Sequence, residues 1–178
     1  MKYLIVSDIH GSIESANIII ENFNKYNCDY IICLGDVLYH GPRNDLPLFY
    51  EPKKVISLLN EYAHKIICIK GNCDAEVDEM VLKFKFHKEI DLEINNIMFH
   101  LEHGHHLDEL NTSCKYILYG HTHVSKIEES KDKIYINPGS ITLPKENTKR
   151  SFIILEDNVI SLYDINNNLI MKKNLPLI

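Results

Sequence analysis

Tyr3-Leu4-Ile5-Val6-Ser7-Asp8-Ile9-His10-Gly11 is the stretch from which the rest of this chain can be read. Four consecutive apolar residues bounded by turn formers read as a strand, and the run stops at an Asp-x-His pair closed by glycine. Asp8 and His10 are two positions apart, so on an extended segment they point to the same side. Both can bind a divalent cation. Four further apolar runs, at 31–34, 66–69, 97–101 and 116–119, end in the same manner, at Asp36, Asn72, His103 and the pair His121/His123. Of seven glycines, Gly11, Gly35, Gly71, Gly104 and Gly120 stand directly beside one of these groups, where a chain must turn sharply out of a strand and approach an ion closely. The pattern predicts one site assembled from strand ends.

Around the first strand the order is β–α–β–α–β: strands over 2–6, 30–34 and 65–69, with helices near 12–25 and 52–63. Ile13, Ala16, Ile20 and Phe23 recur at helical spacing, as do Val55, Leu58, Leu59 and Tyr62, so each helix has one apolar face to lay on a sheet. Strand–helix–strand order implies parallel pairing, and ligands gather at the carboxyl ends of such strands. A short acidic helix is expected over 75–82. Beyond it come strands at 91–94, 97–101, 116–119, 125–128, 133–137, 152–155 and 159–164, with turns at Asn95-Asn96, Asp157-Asn158 and Asn166-Asn167. So many strands exceed one twisted sheet and favour two packed sheets with helices outside. The segment 35–51, carrying Gly41-Pro42-Arg43-Asn44, leaves directly from Asp36 and is expected to be a loop that shapes substrate entry.

The 178 residues suit a single domain spanning 1–178, large enough to bury a core without disulfides or structural metal. A bound metal is therefore free to be catalytic. With 45% hydrophobic and 25% charged residues the composition is globular, and no apolar stretch approaches the roughly 20 residues of a membrane helix. Five cysteines with no CxxC pair suggest neither a disulfide framework nor a thiolate zinc site, and with the short N-terminal apolar segment they point to the cytoplasm. A net charge of −6 disfavours a nucleic-acid-coating surface. Self-association as a homo-oligomer stays open.

Asp8, His10, Asp36, Asn72, His103, His121 and His123 offer seven oxygen or nitrogen donors, more than one four- to six-coordinate ion uses. Two ions sharing a carboxylate is the economical solution. Two divalent cations less two aspartates and a bridging hydroxide leave about one positive charge, which draws in a phosphoester. Hydroxide generated between the ions then attacks in line. The chemistry expected is metal-assisted phosphoester hydrolysis.

In order along the chain, Ser7-Asp8-Ile9-His10-Gly11, Gly35-Asp36, Gly71-Asn72-Cys73-Asp74, His103-Gly104-His105 and Gly120-His121-Thr122-His123 resemble the motifs of the calcineurin-like metallophosphoesterase superfamily. Leu34-Gly35-Asp36-Val37-Leu38, His40-Gly41-Pro42-Arg43-Asn44 and Asn137-Pro138-Gly139-Ser140 look most like its YfcE-type phosphodiesterase branch. Each motif alone is weak; five in order at strand ends are specific. The resemblance implies an α/β fold, a four-layer α/β/β/α sandwich of two mixed sheets with flanking helices. It also implies one ion on Asp8, His10, Asp36 and His123 and a second on Asp36, Asn72, His103 and His121, with Asp36 bridging. Manganese is the expected ion, since carboxylate, amide and imidazole donors without thiolate accept it, with iron, nickel, cobalt or zinc as substitutes. Many relatives place a histidine where this chain has Cys73, so the proton donor to the leaving group is sought elsewhere. His105 is the first candidate, Asp74 the second and water the third. Arg43 is a candidate phosphate clamp through its guanidinium. The function expected is a dinuclear phosphodiesterase of small phosphoesters. The alternatives are a non-catalytic protein-binding scaffold of the same fold, which usually lacks a ligand histidine, and a nuclease, disfavoured by the acidic balance.

Overall fold

The computed structural model describes residues 1–176. Twelve strands and three α-helices follow one another as β1 (Lys2–Val6), α1 (Ile13–Lys25), β2 (Tyr30–Cys33), α2 (Pro52–Glu61), β3 (Ile66–Ile69), α3 (Glu76–Val81), β4 (Phe86–His87), β5 (Glu89–Ile94), β6 (Ile97–Glu102), β7 (Tyr116–Leu118), β8 (Lys126–Ser130), β9 (Lys133–Asn137), β10 (Ser151–Glu156), β11 (Val159–Asp164) and β12 (Leu169–Asn174). They form a seven-stranded sheet ordered β12-β11-β10-β1-β2-β3-β4 and a five-stranded sheet ordered β5-β6-β7-β9-β8. Both are mixed. In the first, β1, β2, β3 and β4 are parallel neighbours; in the second, β6, β7 and β9 are.

Two apolar layers hold this together. Alternation along each strand sends one set of side chains to each face: Leu4, Val6, Ile31 and Cys33 pack under Ala16, Ile19, Phe23, Val55 and Leu59 of the helices. Tyr3, Ile5, Ile32 and Leu34 turn inward against Phe99, Leu101, Tyr116, Leu118, Ile134 and Ile136 of the other sheet. The 3₁₀ turn Leu107–Glu109 ends at a cavity that Glu109 lines together with His100 and Glu102 of β6. Helix α1 begins where Ser12 accepts a hydrogen bond from the Ser15 N–H, and α2 where Pro52 fits the first turn.

Asn95 and Asn96 both adopt positive φ, as a two-residue type I′ hairpin requires. Strands β4 and β12 were not expected: β4 has two residues, too few to display a period, and β12 is an edge strand of the sequence LIMKKN with no alternation. Segment 35–51 contains no helix or strand but is tied to the first loop, with the Ile13 N–H donating to Phe49 O (3.1 Å) and the Glu51 N–H to Gly11 O (2.9 Å). Among the described residues no helix is long and apolar enough to cross a membrane.

Phe99 is completely buried between the sheets. Phe99→Ala is expected to lower the unfolding free energy by about 3–5 kcal/mol, measured by chemical denaturation; a loss below about 1 kcal/mol would mean that the inter-sheet layer is not the principal core.

Candidate metal centre

The carboxyl ends of the parallel strands in both sheets converge, and the loops leaving them carry the candidate donors. Five of these residues sit in the left-handed region, Asp8 (φ 57), His10 (φ 48), Asp36 (φ 57), His121 (φ 63) and His123 (φ 61). For residues other than glycine this costs of order 1–3 kcal/mol each and persists only where neighbours over-determine it. They do so here. The Asp8 N–H donates to Gly35 O (3.1 Å), the His10 N–H to Asp36 O (2.9 Å) and the Gly11 N–H to Val37 O (2.8 Å), zipping the first loop to the second, while the Gly120 N–H donates to His103 O (2.8 Å). Gly71 must remain glycine because a Cβ there would collide with the Asp36 backbone and carboxylate, and at Gly120 it would strike the Ser7 hydroxyl.

Three imidazoles are fixed through Nδ1. His10 Nδ1–H donates to Tyr39 O (2.7 Å), His103 Nδ1–H to Leu34 O (2.6 Å) and His123 Nδ1–H to Leu143 O (2.6 Å). A carbonyl can only accept, so Nδ1 carries the hydrogen and each Nε2 is the atom turned to the centre. There the Nε2 atoms of His10 and His123 lie 3.1 Å apart, with Asp8 Oδ1 3.4 Å from His123 Nε2 and 3.8 Å from His10 Nε2. Asp36 Oδ2 is 3.8 Å from His10 Nε2, and its Oδ1 is 3.4 Å from His103 Nε2. Asn72 Oδ1 stands 3.1 Å from the same His103 nitrogen. His121 is held by its backbone, whose N–H donates to Asp8 Oδ2 (3.1 Å). Its ring has no such anchor and stands edge-on to His103 at 5.1 Å between centroids.

These atoms fit a cation. Asp8 is entirely buried, yet its Oδ1 has no hydrogen-bond partner, and two imidazole lone pairs facing each other at 3.1 Å repel unless positive charge lies between them. Donor atoms of Asp8, His10 and His123, and likewise of Asp8, Asp36 and His103, lie within 4.8 Å of one another. Burial raises the Asp8 pKa to about 7, the Asp36 charge adding to this and His103 opposing it. Burial also disfavours the Asp36 carboxylate, but the hydrogen bond and charge of His103, with the Cys73 N–H, outweigh it and hold Asp36 well below the usual carboxylate range. Burial resists protonation of His103, yet Asp36 and Asp8 bring it up to about 9. Burial pulls His121 and His123 down to about 4, so both are neutral donors at pH 7.

The other candidates separate. Arg43 lines a small cavity with Asp36, Asn72, Cys73, His121, His123 and Lys145. Asp74 does not face it: its carboxylate accepts from the N–H groups of Asp36 (2.8 Å), Val37 (2.8 Å) and Gly71 (2.7 Å). Both oxygens serve to lock the second and third loops together, and burial raises the Asp74 carboxyl to about 6. His105 is exposed and lies beside His103 and His121, with ring centroids 5.5 and 6.0 Å away, lining a second cavity instead. Burial, then the Asp36 charge, pushes the Cys73 thiol up to about 12, so it stays protonated. Asn137-Pro138-Gly139-Ser140 is a turn beneath the site: Asn137 Nδ2 donates to Gly120 O (2.8 Å) and the Ser140 hydroxyl to Asp8 O (2.8 Å). Lys145 was not singled out from the sequence, where it is one lysine in a polar stretch; only the fold brings it to the cavity.

A family model for the calcineurin-like phosphoesterase superfamily domain matches residues 1–158. The chain belongs to this superfamily. It is 39% identical to phosphodiesterase YfcE of Escherichia coli K12, with 96% of each chain covered. To the solved structure of E. coli YfcE, described as a phosphoesterase, it is similar with a TM-score of 0.94 at 36% identity, over 99% of this chain and 100% of that one. A phosphodiesterase of Methanocaldococcus jannaschii is 32% identical, covering 78% of this chain and 83% of its own. The fold is shared with Vps29 of Entamoeba histolytica complexed with Zn²⁺ (TM-score 0.65, 20% identity, 98% and 99% covered).

A cation that binds through His103 Nε2 and Asp8 must displace protons from groups whose pKa values are about 9 and about 7. Metal uptake at pH 7 is therefore expected to release at least one proton, with apparent affinity falling as pH drops below 9 and more steeply below 7. Titration calorimetry in buffers of different ionisation enthalpy checks this, and buffer-independent heats would contradict it.

Proposed function

We propose that the chain hydrolyses small phosphodiesters with two divalent ions, one on Asp8, His10, Asp36 and His123 and the other on Asp36, Asn72, His103 and His121. The activity class is supported by the superfamily match and by two relatives, 39% and 32% identical, that are named phosphodiesterases. The observation that carries the two-ion reading is the division of the Asp36 carboxylate, with Oδ2 toward His10 and Oδ1 toward His103. Such a pair supplies, when bound, Lewis acidity to the phosphoryl oxygens and a coordinated water whose pKa falls to roughly 7.

The chain's own groups do the rest. Backbone carbonyls at Tyr39, Leu34 and Leu143 hold three rings in the orientation that presents Nε2, so no reorganisation of those side chains is needed as the substrate arrives. Arg43 and Lys145, which line the same small cavity from different loops, offer positive charge to the non-reacting phosphate oxygens. Cys73, protonated at neutral pH, is unsuited to forming a covalent intermediate. His105, whose ring centroid lies 6.0 Å from that of His121, is the side chain we assign to protonating a leaving oxygen, with water serving acidic leaving groups. Oxygen and imidazole donors without thiolate accept Mn²⁺, the ion proposed here, with iron, nickel, cobalt or zinc as substitutes. All five cysteines are free, even Cys33 and Cys68, which lie opposite each other on β2 and β3, in keeping with a cytoplasmic setting. The complete donor set favours an enzyme over a binding scaffold.

Chelated protein assayed on a bis-aryl phosphate is expected to be inactive, to recover with Mn²⁺, and in the Asp36→Asn form to stay at the background rate while still folded; equal rates before and after chelation would refute metal dependence. His105→Ala is expected to leave nitrophenyl esters within about threefold of wild type while slowing alkyl leaving groups by 10²-fold or more. A uniform loss across leaving groups would remove His105 from that role.

A further inference from the structure

We infer that the outer face of the five-stranded sheet carries a third cation site, apart from the pair around Asp36, in which Glu89, His100 and Glu102 bind Zn²⁺. Along β6, Phe99 and Leu101 point into the inter-sheet core, so Met98, His100 and Glu102 face the other way. The β5–β6 register sets Glu89 directly opposite Glu102 and Asp91 opposite His100. Two carboxylates facing each other across an antiparallel pair repel, and a cation between them reverses the sign.

Burial makes the case sharper. His100 is 6% and Glu102 7% exposed, yet His100 Nε2 and Glu102 Oε1 are buried with no hydrogen-bond partner. Each such orphaned atom has given up its bond to water without a replacement. His100 is also oriented: its Nδ1–H donates to Asp91 Oδ1 at 2.6 Å, which aims Nε2 at the carboxylates. This is the same device that orients His10, His103 and His123, with a side-chain carboxylate in place of a backbone carbonyl. The ligand atoms of Glu89, His100 and Glu102 lie within 4.8 Å of one another and open on a cavity of about 310 Å³ that His106 and Lys88 also line. One imidazole and two carboxylates, with His106 or water in the fourth position, make a tetrahedral Zn²⁺ set without thiolate. Glu102 immediately precedes His103, so an ion there pins the end of β6 from which the catalytic loop departs. Its role is structural.

The test is equilibrium dialysis of the chelated full-length chain against Zn²⁺, with metal analysis of wild type, the double variant His100→Gln/Glu102→Gln, Asp91→Asn and Asp36→Asn. The double variant is expected to bind one equivalent fewer than wild type. Asp36→Asn should retain the equivalent that depends on His100, and Asp91→Asn should weaken it by about 10–100-fold. Asp91 is half exposed, so its variant gives the same readout should the double variant fail to fold. Identical uptake by wild type and both outer-face variants would overturn the third site, with Lys88 then neutralising the two glutamates. Loss in Asp36→Asn alone would leave the catalytic pair standing and the third site refuted. Loss in the outer-face variants alone would do the reverse.

Discussion

The carboxylate of Asp36 is the group on which both sheets meet. It leaves the end of β2 in the first sheet, accepts the Cys73 N–H from the loop after β3 (2.8 Å), and faces His103 from the end of β6 in the second. Its own N–H is held by Asp74 (2.8 Å). A charge so buried is tolerated only if it is paired and hydrogen-bonded, and each partner that satisfies it comes from a different strand end. Correct packing of the sandwich and correct assembly of the centre are therefore the same event. A slip of either sheet would leave this oxygen pair unsatisfied.

The cost of the centre is spread through the backbone. Five donors in left-handed conformations, a buried aspartate with a free oxygen and two facing imidazole nitrogens are each unfavourable alone. They are held by hydrogen bonds between loops and by the polar turn at Asn137–Ser140, whose side chains bond to the backbone at Gly120 and Asp8. The two apolar layers on either side of the first sheet supply the stability that tolerates this strain. The loops can thus be preorganised for cations before a substrate arrives, which is where electrostatic catalysis gains its advantage.

Much of this was legible in the sequence, for identifiable reasons. Strands such as 3–6 and 31–34 are short apolar runs that stop at glycine-flanked donors, so the punctuation marked both the fold and the site. The helices on 13–25 and 52–61 declared a single apolar face. What escaped lacked a local signature. Strand β4 is too short and β12 too uniformly exposed to show alternation. Lys145 reaches the cavity only because the chain after β9 folds back over the site. That Asp74 accepts three backbone N–H groups depends on where the two neighbouring loops run. Glu89 and Glu102 become neighbours only through the register of β5 on β6.

Low-temperature electron paramagnetic resonance of the protein loaded with two equivalents of Mn²⁺ tests most directly the proposal that Asp36 bridges two ions. Two ions that shared Asp36 would lie close enough to couple magnetically, and the account predicts an exchange-coupled spectrum that disappears in Asp36→Asn. A wild-type spectrum of isolated, uncoupled Mn²⁺ at that loading would contradict it.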